Sequence, residues 1–150
     1  MFKLLLFLHL LAAVFAIGPL VGAASTAARA LRTGDAGAAS SAARIVKIYS
    51  YSSVVVVVLG FGLMSAKVPG DSSQRVADFG ETWIWLSLVL WGAAVAVALG
   101  GLAPALRQAA TTIDQGSPVS TLTGRVAAYG GATALLYAVI VALMVYQPGG

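Results

Sequence analysis

Cysteine is absent from this 150-residue chain, and histidine occurs once, at position 9. The lack of cysteine excludes disulfides, iron–sulfur ligation, thiolate zinc sites and cysteine nucleophiles. A single histidine with no carboxylate in the apolar segments makes no catalytic triad, and the many serines have no evident base. The sequence therefore predicts a protein that is not an enzyme.

Charge is also scarce: charged residues make up 9% of the chain, hydrophobic residues make up 59%, and the mean hydropathy is +0.92. Four runs contain no Asp, Glu, Lys or Arg, at approximately residues 4–28, 48–66, 83–106 and 126–146. A helix needs roughly 20 such residues to cross a hydrocarbon core of about 30 Å. The sequence thus predicts an all-α polytopic membrane protein, a four-transmembrane-helix bundle that forms a single domain over residues 1–150.

Basic residues predict the orientation, because Lys and Arg in short loops resist translocation. The first and third connections carry six of them, and the N-terminus and the second connection carry Lys3, Lys67 and Arg75. We expect both odd-numbered connections inside and both termini outside. The net charge of +4 is consistent with contact with lipid headgroups at the inner face. It does not indicate nucleic-acid binding, because no basic stripe with interleaved aromatic residues is present.

Small residues recur at four-residue spacing, which places them on one face of a helix. Such faces let helix backbones approach closely. The pattern predicts helix packing, and it leaves open whether the partner is another helix of the bundle, a second copy of the chain or a different membrane subunit. Eight residues carry it: Gly18, Gly22, Gly92, Ala96, Gly100, Gly130, Ala134 and Ala138.

Prolines at positions 19 and 104 fall inside the first and third runs. Each removes one backbone hydrogen bond, to the carbonyl of Phe15 or of Gly100, so we expect a bend in each span.

His9 is the one histidine at membrane depth, and Met64 and Met144 end the two spans that return to the same surface. An imidazole and two thioethers at one depth are suited to Cu(I), or to His/Met axial ligation of haem iron. Methionine is also a common packing residue, and a histidine near the surface can simply bond to a carbonyl. The spans otherwise offer only tyrosines as ionisable groups, which disfavours proton-coupled or ion-coupled transport.

Three segments together resemble the DUF2269 family of bacterial predicted integral membrane proteins: LHLLAAV at 8–14 followed by Gly18-Pro19, GGLAPALR at 100–107 and LMVYQPG at 143–149. The resemblance covers essentially the whole chain. It implies the four-span topology and a location in the bacterial cytoplasmic (inner) membrane, and the family has no established activity.

A more distant similarity links the first span to the copper-resistance CopD proteins and to the four-helix haem-binding protoporphyrinogen oxidase family. It rests on His9 followed by small apolar residues. Those relatives place a lysine after the tryptophan motif of the third span, where this chain has Ser87 after Trp83-Ile84-Trp85-Leu86. The similarity therefore implies a role as a cofactor ligand in this chain for His9 alone.

Two functions follow from these observations. The first is a small non-enzymatic accessory or assembly subunit of a larger membrane complex, with membrane lipids and other subunits or further copies of the chain as partners. The second is a membrane protein that binds haem or copper through His9 near the outer face.

Overall fold

The computed structural model describes residues 2–68, 71–75, 77 and 80–148. Apart from a short antiparallel ribbon between the second and third helices, the fold is all-α, as predicted. Its elements are α1 Phe2–Arg32, α2 Ala36–Met64, β1 Lys67–Val68, β2 Asp71–Arg75, α3 Thr82–Val97, a π-helical turn Ala98–Leu102, α4 Ala103–Asp114 and α5 Ser120–Tyr146.

Four helices in the described residues are long and apolar enough to cross a membrane, the third of them being α3, the π turn and α4 read as one. Large apolar side chains cover their outer surfaces: Leu4, Phe7, Val14 and Val58 are each more than half exposed. In a bilayer such side chains face lipid, while the helices satisfy their own backbone hydrogen bonds. The four-span architecture is therefore confirmed, and the chain is an integral membrane protein.

The helices are longer than the charge-free runs. The sequence places Arg29, Arg44 and Lys47 in a connection, whereas the structure places them on α1 and α2, which only residues 33–35 separate. Glycine and aspartate make this short turn. Gly34 has a positive φ of 66°, and Asp35 accepts a 2.8 Å hydrogen bond from the Ala38 N–H at the start of α2.

The turn after α4 also contains a glycine in the left-handed conformation, since Gly116 has a positive φ of 68°. The Gly116 N–H donates to the Ile113 carbonyl, and the Ser117 N–H donates to the Thr112 carbonyl. This is the hydrogen-bond pattern of a Schellman C-cap, which favours glycine. Because one turn joins the first and second spans and the other joins the third and fourth, both short turns lie at the same end of the bundle.

The helix extensions at this end pack on small apolar side chains. Their contact surfaces are built largely from alanine, which lets the helices lie close together. The buried residues there include Ala27, Leu31, Ala39, Ala43, Ala105, Leu106, Ala109 and Ala110. The end that carries most of the basic residues therefore has a continuous apolar core.

The helices form a ring in which α1 packs against α2 and α5, and the third span packs between α2 and α5. Within that span, α3 packs mainly against α5, and α4 packs mainly against α2. α3 therefore has one main helix neighbour outside its own span, α5.

The two prolines are accommodated differently. Pro19 lies inside a continuous α1. Pro104 follows directly on the π turn, where the Ala103 N–H donates to the Ala98 carbonyl, five residues back. A π turn widens the helix locally, which makes room where the proline ring removes a hydrogen bond. The third span, where a bend was predicted at Pro104, therefore contains a π turn just before the proline.

Candidate functional site

The His9 side chain lies between α1 and α2. Its Nδ1 is 3.0 Å from the carbonyl oxygen of Val56, one turn before Gly60. A Cβ atom at Gly60 would lie 3.3 Å from His9 Cε1, so glycine gives the imidazole room against α2. A carbonyl oxygen only accepts hydrogen bonds, so Nδ1 carries a proton in this contact, and in the neutral imidazole Nε2 then keeps its lone pair.

The two methionines predicted to lie at the depth of His9 differ in exposure. Met64 is buried in a small apolar cluster with Ala77 and Ile84. Met144, near the end of α5, is 41% exposed. Among the described side chains, no group of three or more His, Asp or Glu residues could hold a metal ion. His9 is oriented by its hydrogen bond to the Val56 carbonyl.

A polar cluster in the bundle interior was not predicted from the sequence. The Trp91 Nε1–H donates to Ser53 Oγ at 3.0 Å, and the Ser53 hydroxyl donates to the Ser50 carbonyl at 2.7 Å. This contact ties α3 to α2. The hydroxyls of Ser50 and Ser87 are buried without a hydrogen-bond partner in the described part of the molecule, and the Tyr137 hydroxyl lies beside Ser53 without good hydrogen-bond geometry. The sequence did contain one sign of this cluster: Ser87 and Trp91 are four residues apart, which places two polar groups on one face of α3.

The small residues predicted to pack helices separate into two groups. Gly130 is buried where α5 crosses α1, and a Cβ atom there would lie 2.2 Å from the Ala24 carbonyl oxygen. Ala134 is half-buried one turn further along α5, and Ala138 is exposed. Close packing inside the bundle thus depends on Gly130.

The remaining small residues point outward. Gly18 and Gly22 are exposed on α1, and a Cβ atom at either would meet nothing within 4 Å. Gly92, Ala96 and Gly100 are also exposed, and the two glycines again have open space. We call these three residues, two on α3 and Gly100 in the π turn that follows it, the α3 outer face. Of the alternatives that the sequence left open, packing within the bundle does not apply to these five positions.

Of three comparisons with known proteins, one found a match. No curated protein and no solved structure matches the chain. A family model described as a predicted integral membrane protein matches residues 3–148, nearly the whole chain. The chain therefore belongs to the DUF2269 family of predicted integral membrane proteins.

Proposed function

We propose that this protein is a non-enzymatic accessory or assembly subunit of a larger membrane complex, and that it docks a transmembrane helix of its partner on the α3 outer face. One observation carries the proposal: Gly92, Ala96 and Gly100 line the outside of the span, with open space where a Cβ would stand at the two glycines.

The same molecule shows what such residues do when a helix covers them. At Gly130 the backbone of α1 approaches so closely that a Cβ would overlap the Ala24 carbonyl oxygen. Helices in lipid associate through this kind of close backbone packing, because hydrocarbon provides no hydrophobic force between them. The α3 outer face offers the same surface over about two helical turns.

The neighbours of α3 favour this side as the docking position. It packs mainly against α5, and its contacts with α2 include the hydrogen bond from Trp91 to Ser53 and the apolar cluster that holds Ile84 and Met64. A partner helix on the outer face would therefore pack on a side of this span that α5 and α2 leave open.

Photo-crosslinking in native membranes tests the docking role. A photoreactive residue at Ala96 should form a covalent adduct with one polypeptide. The same residue at Ala132, which is exposed on α5, should form no adduct with a polypeptide. Gly100→Leu should abolish the adduct, because its side chain holds the partner backbone away. Gly131→Leu is the matched control, since Gly131 also faces open space on α5.

Both variants should remain folded, which the far-ultraviolet circular dichroism of the purified proteins would check. Adducts with lipid alone at Ala96, or an adduct that survives Gly100→Leu, would contradict the docking role.

We also propose a location in the bacterial cytoplasmic membrane with both termini outside. The excess of basic residues in the two odd-numbered connecting regions supports this orientation. A reporter enzyme that works only outside the cytoplasm, fused after Gly150, should be active. Activity of a cytoplasmic reporter at the same position would invert the topology.

The geometry of His9 favours a second candidate function, the binding of haem or copper. Histidine ligands commonly donate their second ring N–H to a carbonyl, which fixes the ring and leaves the other nitrogen for the metal. The hydrogen bond from His9 Nδ1 to the Val56 carbonyl has this form. Native mass spectrometry should then show a mass increment of haem or copper that disappears in His9→Ala. Spectra without an increment in the parent protein would exclude this function.

A further inference from the structure

A cleft of about 580 Å³ lies between α2 and α4, at the end of the bundle with the two short turns. Five of its lining residues come from α2 and one comes from α4. They are Ser40, Arg44, Lys47, Ile48, Tyr51 and Arg107. Three of the six are cationic, which makes the cleft a concentrated positive site.

These cations are free to bind a ligand. Arg44, Lys47 and Arg107 are all exposed, and none of them forms an ion pair with a carboxylate among the described residues. Arg44 and Lys47 are three residues apart, so they lie on neighbouring turns of one helix face. Three like charges around one cleft repel each other, and a bound anion would offset that repulsion.

The position of the cleft indicates which anion. Lys47 directly precedes the charge-free run of α2, and Arg107 directly follows that of the third span. Both side chains therefore lie at the boundary between hydrocarbon and headgroups, where lipid phosphates are found.

The surface next to the cations is apolar. Along α2, Ile48, Tyr51 and Val55 are exposed by 51%, 60% and 55%, and their spacing places them on the face that continues from Arg44. A lipid whose phosphate occupied the cleft could lay an acyl chain along this face. A free phosphate ion would use the cations and leave the apolar face unused.

We propose that the cleft between α2 and α4 binds the phosphate of an anionic phospholipid. The two guanidinium groups donate paired hydrogen bonds to phosphate oxygens, the Lys47 ammonium adds a third positive charge, and Ser40 and Tyr51 carry hydroxyl groups at the rim. Basic pockets between transmembrane helices are known to hold such headgroups. This proposal does not depend on the docking role of the α3 outer face.

The test measures lipid binding to the full-length protein by native mass spectrometry, with phosphatidylglycerol and phosphatidylcholine of identical acyl chains as probes. The cleft variant carries Arg44→Gln, Lys47→Gln and Arg107→Gln. The matched control carries Arg29→Gln, Arg32→Gln and Arg125→Gln, which removes the same charge from α1 and α5 outside the cleft.

We expect phosphatidylglycerol to bind the parent protein at least about tenfold more tightly than phosphatidylcholine, because charged hydrogen bonds are the strongest of those available. The cleft variant should lose this preference, and the control should keep most of it. Arg107→Gln alone should weaken binding measurably, and a single exposed substitution leaves the fold intact.

Two outcomes would overturn the proposal. An equal loss in the cleft variant and the control would show diffuse attraction by net charge instead of a site. The second outcome concerns a separate measurement, in which inorganic phosphate is added to the protein in phosphatidylcholine bilayers. Binding of inorganic phosphate that requires the cleft cations, without binding of phosphatidylglycerol, would assign the cleft to a free anion.

Discussion

Gly130→Ala tests the contact that holds α5 against α1. The new Cβ would lie 2.2 Å from the Ala24 carbonyl oxygen, and Cβ atoms essentially never come within 3.0 Å of such an atom. The two helices must therefore shift relative to each other where they cross. The obstructing atom belongs to the backbone of α1, so no side-chain rotation can relieve the overlap.

The expected cost is about 1–3 kcal/mol of unfolding free energy, the range for overpacking a well-packed interior. Alanine also favours a helix over glycine by about 0.5–1 kcal/mol, which works in the opposite direction. Gly131→Ala is the matched control, because Gly131 is the next residue and a Cβ there meets nothing within 4 Å. The propensity gain is common to both variants, so the difference between them measures the overlap.

The assay is equilibrium unfolding in mixed micelles of mild detergent and sodium dodecyl sulfate, followed by circular dichroism. We expect Gly130→Ala to be less stable than Gly131→Ala by about 1–3 kcal/mol. Equal stability of the two variants would refute the reasoning, because it would mean that the helices do not approach as closely as the Ala24 contact requires.

Three further outcomes are expected from the same unfolding assay. Gly101→Ala should destabilise by about 1 kcal/mol, because its Cβ would lie 2.9 Å from the Tyr129 ring; addition of Tyr129→Ala should remove that extra cost, and strictly additive effects would argue against the contact. Asp35→Ala should cost about 1 kcal/mol by removing the cap on the Ala38 N–H, and an unchanged stability would show that the cap contributes nothing. Tyr137→Phe should change the stability by less than about 1 kcal/mol, because the buried Tyr137 hydroxyl makes no hydrogen bond of good geometry in the described residues. A larger loss of stability would show that its contact with Ser53 is a stabilising hydrogen bond.

Much of the fold was predictable because a bilayer imposes a simple rule on the chain. A spanning helix needs a long run without charge, and the four runs in the sequence became the four spans. The lengths of the helices were less predictable. Charge marks the membrane boundary, but a helix ends where turn chemistry permits, which here is at Gly34 and Gly116. The predicted connection around Arg44 is therefore mostly helix.

The sequence identified individual residues of the candidate site, but it did not show which residues contact each other. His9 was identified as the only histidine, but its hydrogen bond to the Val56 carbonyl joins positions 47 residues apart. Met64 was grouped with His9 by depth, and only the structure shows that it is buried beside Ile84. The cleft cations were recognised as topology signals, and only the folded chain brings Arg107 next to Arg44 and Lys47.

The sequence by itself determined that this protein spans a membrane four times, because the cost of placing charge in hydrocarbon is a local property of each segment. Only the tertiary structure decided that Gly130 faces a neighbouring helix and Gly92 faces outward, although both have the same spacing pattern. In water the buried face of a helix is more apolar than the exposed face. In lipid both faces are apolar, so the pattern does not show which face has a partner.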